Sequence, residues 1–145
     1  MFPKTLSTRI RQSGVVAVLV LDRPEHAVPL AKTLIENGID SMELTLRTPV
    51  ALDALKAILA EVPNMLAGVG TILTADQVQE VAAVGADFGV SPGMNHQVVL
   101  AARAAGLPFA PGIATPSELE NAIAAGCRMV KFFPAEAMGG MPYLK

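Results

Sequence analysis

The stretch Ser41–Arg47, SMELTLR, alternates strictly between polar and apolar residues. Side chains of a β-strand point to opposite faces in turn. Ser41, Glu43, Thr45 and Arg47 therefore share one face, and Met42, Leu44 and Leu46 the other. In an antiparallel sheet with one wet side, the polar face would simply meet solvent. In a closed parallel barrel, apolar helices cover the outer face and the polar set points inward. Charged groups near the C-terminal end of such a strand then sit where barrel enzymes keep their chemistry. The strand alone leaves both readings open, and the rest of the chain decides between them.

Short apolar runs recur along the chain: Val15–Val20, Ser41–Leu46, Met65–Val69, Phe88–Ser91, Pro108–Ala110 and Met129–Phe133. Their starts lie 20–26 residues apart. That period suits a solenoid, but the intervening sequence argues against one. Each run is followed by a turn or cap signal, a helical pattern, and often a glycine. Asp22–Glu25 and Thr74–Gln77 have the spacing of capping boxes. Thr48-Pro49 and Thr115-Pro116 put an N-cap hydroxyl before a proline suited to the first helical position. Gly38, Gly85, Gly106 and Gly126 stand where a helix exit wants a left-handed residue. Strand, cap, helix, glycine, strand is the order of repeated βα units on a parallel sheet. An open doubly wound sheet and a (βα)8 barrel both fit. No Gly-x-Gly-x-x-Gly follows the first strand, which weakens the dinucleotide-binding alternative and favours the barrel.

The bulk numbers agree with a single buried sheet. The chain has 145 residues and a net charge of −2, enough for one domain with its own core. Hydrophobic residues make up 52%, aromatics 4%, and there is no Trp. Such a core of Ala, Val, Leu, Ile and Met suits helices packed on a sheet. Charged residues are 17%, below the usual value of about 25%, which points to much buried surface, a subunit interface included. Nothing strongly basic suggests nucleic acid as a partner. The one cysteine, Cys127, excludes an intramolecular disulfide framework and fits a reducing cytoplasm. The N-terminal residues MFPKTLSTRIRQSG lack the apolar core of a secretory signal. No apolar run reaches the ~18 residues of a membrane helix. The expectation is one cytoplasmic domain over residues 1–145, without internal linker, membrane partner or nucleic-acid partner.

Met129–Pro134, MVKFFP, sets a lysine inside an apolar run. Lysine is rarely fully buried unless paired. Lys131 shares a face with Met129 and Phe133, while Arg128, Val130 and Phe132 share the other. On an isolated strand this would be a side chain snorkelling from a sheet edge to water. Here the strand leads into Pro134–Glu136, a loop at the catalytic end of a barrel. An inward lysine among apolar neighbours is disfavoured as ammonium, so its pKa is expected to fall. A neutral amine can attack a ketone carbon and form a Schiff base, whose protonated form accepts electrons from a breaking C–C bond. A carboxylate across the barrel can shuttle the protons. Glu43 is the candidate by spacing and direction.

The segments EHAVPLAKTLIENGI, MELTLRTP, GVGTILT, GADFGVSPG, PFAPGIATPSELE and VKFFPAEAMGG span almost the whole chain. Together they resemble the family of 2-keto-3-deoxy-6-phosphogluconate aldolase and 4-hydroxy-2-oxoglutarate aldolase. The resemblance implies a class I aldolase on a TIM barrel, with a small keto acid as substrate and neither metal nor cofactor. Lys131 matches the Schiff-base lysine and Glu43 the general acid/base. Arg47 and Thr71 match the groups that hold the carboxylate of the pyruvate moiety, a role suited to the planar donor fork of arginine. Pro92 and Phe133 match residues that line the pocket. The implied reaction splits 2-keto-3-deoxy-6-phosphogluconate into pyruvate and glyceraldehyde 3-phosphate, the last cleavage of the Entner–Doudoroff route. The family is cytoplasmic and typically trimeric, so a homo-oligomer is expected.

The sequence departs from this family in length. It reads as a barrel stopped after about six βα units, without the glycine-rich loops that hold phosphate after strands seven and eight. Such a chain would expose unpaired edges at Val15–Val20 and Met129–Phe133. It is expected to be unstable or to close those edges against other chains. Two further readings stand beside the first. One is an aldolase for 4-hydroxy-2-oxoglutarate, which yields glyoxylate and pyruvate and needs no phosphate site. The other is a non-catalytic remnant that only assembles with other chains.

Several polar or glycine positions have simpler explanations. His26 and His96 lie near helix starts, and two histidines without an acidic cluster make a poor metal site. Cys127 follows a helix-ending glycine and reads as a small buried residue. Gly68-Val69-Gly70 reads as a tight strand–loop turn, Gly139-Gly140 as a loop, and Glu136 as a helix cap.

Overall fold

In the computed structural model, which describes residues 2–145, the apolar runs become short parallel strands. β1 (Ala17–Leu19), β2 (Ser41–Thr45), β3 (Leu66–Gly70), β4 (Phe88–Val90) and β5 (Phe109–Ala110) are hydrogen-bonded in chain order. Parallel neighbours need a crossover between them. Helices α2 (Ala27–Glu36), α3 (Ala51–Glu61), α4 (Ala75–Val84) and α5 (His96–Ala104) supply it. α1 (Lys4–Ser13) precedes the first strand, and α6 (Pro116–Ala124) joins β6 (Gly112–Ile113) to β7 (Lys131–Phe132).

The fifth run, expected over Pro108–Ala110, continues as two strands split at a proline. Pro111 has no N–H to give a ladder. Pairing with β4 ends at Ala110, and Gly112–Ile113 then pairs with β7. The result is six staves in barrel order, with β1 and β7 each paired on one side among the described residues. The first strand is also shorter than Val15–Val20. Only Ala17–Leu19 finds partners on β2, opposite Met42–Leu44, and Val15, Val18 and Val20 are exposed.

Two apolar layers flank the staves. Met42, Leu44 and Val69 point outward and pack with Ala31, Leu55, Ile58, Val78, Val81 and Val98 of the helices. Leu66, Phe88, Val90 and Ala110 point inward and pack with Phe2, Leu6, Ile10 and Met129. Fully burying each large side chain contributes about 1.5–3 kcal/mol, so both layers hold the sheet. α1 covers the N-terminal ends of the staves. There Phe2 lies 6.2 Å from Phe88, ring centre to ring centre, and Arg9 donates to the Asn64 carbonyl at 2.5 Å. This leaves Ser41, Glu43 and Thr45 of SMELTLR inside.

Two of the four expected N-caps form. Thr74 with Gln77 and Thr115 with Glu118 make reciprocal capping boxes on α4 and α6. Asp22 and Thr48 do not cap. The first helical turn after β1 begins at Arg23 without a side-chain bond, and α3 is preceded by Val50. Thr48 instead donates to the Leu21 carbonyl at 2.5 Å, tying the loop after β2 to the loop after β1. The four glycines expected at helix exits all have positive φ.

Candidate active site

Glu43 sits at the centre of β2, with ladder partners on both sides, Val18 on β1 and Gly68 on β3. Lys131 opens β7, where its backbone N–H donates to the Pro111 carbonyl at 2.9 Å. The two side chains meet in the interior. Lys131 Nζ donates to Glu43 Oε1 at 2.9 Å and to Oε2 at 3.0 Å. The glutamate side chain is 6% exposed and the lysine side chain 25%. The buried carboxylate of such a pair is held by mutual neutralisation and by good geometry, and here one partly exposed ammonium faces both of its oxygens. Phe133 adds its ring, with Nζ 5.3 Å from the ring centre, within cation–π range. The pair borders a cavity of about 290 Å³ whose other walls include Val16, Phe88, Val90 and Met129. A proton can pass between amine and carboxylate along these bonds, and the cavity extends from them toward Phe2 and Ile10 on the α1 side.

Arg47, Thr71 and Pro92, also expected at the site, do not line the cavity beside this pair. Arg47 stands in the turn after β2, exposed. The inward alternation seen in the sequence thus ends at Thr45, which is buried and donates to the Leu19 carbonyl at 3.0 Å. Thr71 follows β3 directly, half-buried, with φ of 62°. That conformation is rare for a β-branched residue and marks a strained position. Neighbouring bonds fix it: Gly70 accepts from the Leu46 N–H at 2.9 Å, and the Ile72 N–H donates to Val90 at 3.2 Å. Pro92 lines a separate cavity of about 330 Å³ with Ile72, Ser91, Asn95 and Glu118. Its carbonyl also abuts Gly112, where a Cβ would overlap it. Gly112 pairs directly with Lys131, so Pro92 is one strand removed from the lysine. His26 and His96 are exposed.

The sequence reading missed the bare face of β3. Gly68 and Gly70 lie within the strand, not in a turn. A Cβ on Gly68 would overlap the Phe88 ring, and one on Gly70 would overlap the Glu43 carboxyl. The available signal was two glycines spaced by two in an otherwise apolar run. That pattern marks a strand face where another group approaches closely.

The chain is similar in sequence and fold to known proteins. The family model for KDPG and KHG aldolase matches residues 6–145. A 2-dehydro-3-deoxy-phosphogluconate aldolase of Treponema pallidum is 47% identical over 136 residues, which is 94% of this chain and 65% of that protein. The crystal structure of the 2-keto-3-deoxy-6-phosphogluconate aldolase of Zymomonas mobilis with 3-phosphoglycerate superposes with a TM-score of 0.90 at 37% identity. It is matched over 95% of this chain and 66% of that one. A KDPG aldolase from Legionella pneumophila, with pyruvate captured as a covalent carbinolamine, gives a TM-score of 0.85 at 42% identity, over 89% of this chain and 63% of that one. The chain therefore spans about 65% of the length of these relatives. With the family model matched over nearly the whole chain, the chain belongs to the KDPG and KHG aldolase family.

Proposed function

We propose that this protein is a class I aldolase that cleaves 2-keto-3-deoxy-6-phosphogluconate to pyruvate and glyceraldehyde 3-phosphate through an imine on Lys131. The observation that carries the reading is the double contact of Lys131 with Glu43. Glu43 takes a proton from the Lys131 ammonium, and the free amine attacks the keto carbon. The carbinolamine hydroxyl then leaves as water on receiving a proton from Glu43, and the iminium forms. Glu43 removes the proton of the C4 hydroxyl, the C3–C4 bond breaks, and its electrons flow to the iminium nitrogen. The aldehyde departs and leaves an enamine. Glu43 returns the proton to the methylene carbon, and water hydrolyses the imine to release pyruvate. One positioned carboxylate serves every proton transfer, each assisted by about 10²–10⁴-fold.

Arg47 and Thr71 hold the substrate carboxylate on this reading, and Pro92 and Phe133 wall the pocket. The exposure of Arg47 at the strand end supports this, because a free guanidinium fork there can meet an entering carboxylate. The single cysteine supports a cytoplasmic setting. The low charge fraction and the exposed Leu119, Ile123 and Leu144 support a homo-oligomer, a trimer by family resemblance.

The test is pyruvate release from each of two substrates, read by a coupled lactate dehydrogenase assay. Pyruvate from 2-keto-3-deoxy-6-phosphogluconate is the expected result. Pyruvate from 4-hydroxy-2-oxoglutarate alone would keep the imine chemistry and change the acceptor. No pyruvate from either, with the protein folded, would contradict the proposal.

A further inference from the structure

The register of β2 and β3 sets Glu43 opposite Gly68 and Thr45 opposite Gly70. The Glu43 side chain does not stay over its own partner. It leans along the strand direction and lies over Gly70, the diagonal neighbour, as long side chains can. All three atoms nearest to a Cβ built on Gly70 belong to Glu43: Oε1, Cδ and Cγ. The corresponding atoms at Gly68 all belong to the Phe88 ring. Thr45, the direct partner of Gly70, bonds instead to the Leu19 carbonyl.

Gly70 is not among the positive-φ residues, so its backbone does not demand glycine. Nor can the strand retreat to admit a side chain. The Gly70 carbonyl accepts from the Leu46 N–H at 2.9 Å, and two residues on, Ile72 donates to Val90 at 3.2 Å. A methyl group on residue 70 therefore displaces the one movable partner, the Glu43 carboxyl, and that carboxyl holds Lys131 through both of its oxygens.

We infer that Gly70 is a positioning residue, whose bare backbone lets the Glu43 carboxylate reach across β3 to Lys131. The inference rests on the reading of Lys131 and Glu43 as the reacting pair.

The test is a double-mutant cycle of wild type, Gly70→Ala, Glu43→Ala and the double variant. Gly68→Ala serves as a control for crowding elsewhere on β3. Two readouts are taken: the melting temperature, and the exchange of pyruvate methyl protons in deuterium oxide as a function of pH. Gly70→Ala is expected to lower exchange by about a hundredfold, with a pH profile like that of Glu43→Ala, and to lower the melting temperature. Added to Glu43→Ala, the same change is expected to alter neither readout, because the group it displaces is gone. Equal losses in both backgrounds, or unaltered exchange in Gly70→Ala, would overturn the inference. If wild type exchanges no pyruvate protons, the aldolase reading fails. The melting cycle still decides the placement of Gly70 in that case. A loss confined to the Glu43 background upholds it, and an equal loss in both removes it.

Discussion

Lys131 and Glu43 are 88 residues apart in the chain and 2.9 Å apart in the structure. Neither could hold this place alone. Glu43 is buried on β2 between β1 and β3, and Lys131 emerges from an apolar run. The contact joins the second stave to the last one across the interior, so it reports directly on whether the staves have closed around the site.

The two partners differ in exposure, and that makes the cost of losing each unequal. With Lys131→Met, Glu43 stays buried as an unpaired charge, and breaking a buried pair in this way costs about 3–5 kcal/mol. With Glu43→Gln, Lys131 keeps a partially wet side chain, 25% exposed, and can turn to solvent at about 1 kcal/mol. Urea unfolding at neutral pH is expected to rank Lys131→Met well below Glu43→Gln. Equal stability of the two would mean that the ion pair is not formed in solution.

Thr71 carries backbone strain directly after β3. A non-glycine residue held at φ of 62° costs about 1–3 kcal/mol. Thr71→Gly removes that strain and adds about 0.5–1 kcal/mol of chain entropy on folding. Stability is expected to stay level or to rise by about 1 kcal/mol. If the hydroxyl binds the substrate carboxylate, KM rises about threefold to tenfold, the worth of one hydrogen bond. A variant that loses stability and keeps its KM would contradict both statements.

The cap of α6 gives the fold an acid-sensitive joint close to the Pro92 loop. The Glu118 carboxyl is held below its usual value by the Ala114 N–H, then by the Thr115 hydroxyl, and less by the Thr115 N–H. Because the folded value is the lower one, the contribution is fully present above pH 4.5, the ordinary value. It is lost as the pH falls through the folded value. Thr115→Ala is expected to cost about 1 kcal/mol at neutral pH, and Glu118→Gln to flatten the fall in melting temperature between pH 5 and 3, about where carboxylates titrate. Parallel curves for wild type and Glu118→Gln would contradict the assignment.

Much of this arrangement was legible in the chain. Strict alternation in SMELTLR told Glu43 from Met42 and Leu44, because period-two patterning needs no tertiary information. The same rule set Lys131 inside. The breaks came where long-range contacts overrode local signals. Thr48 had the spacing of an N-cap, but its hydroxyl found the Leu21 carbonyl on the preceding loop. Arg47 fell on the polar face by alternation, but the strand ends at Thr45 and alternation ends with it. The fifth run reads as ending at Ala110, but the stave resumes beyond Pro111 as Gly112–Ile113, and its two halves pair with different neighbours. Gly70 was the least legible. A glycine announces that something approaches it, and only the fold shows that this is Glu43.

Reductive trapping shows whether Lys131 is a reacting amine. The protein is incubated with pyruvate and sodium borohydride, and the adduct is mapped by intact mass and peptide analysis, with Lys131→Ala alongside. One pyruvate-derived adduct is expected, on Lys131, absent from the variant and much slower to form in Glu43→Ala. A cooperatively folded protein that traps no pyruvate, or traps it on surface lysines at the same rate in Lys131→Ala, would rule out an imine on Lys131.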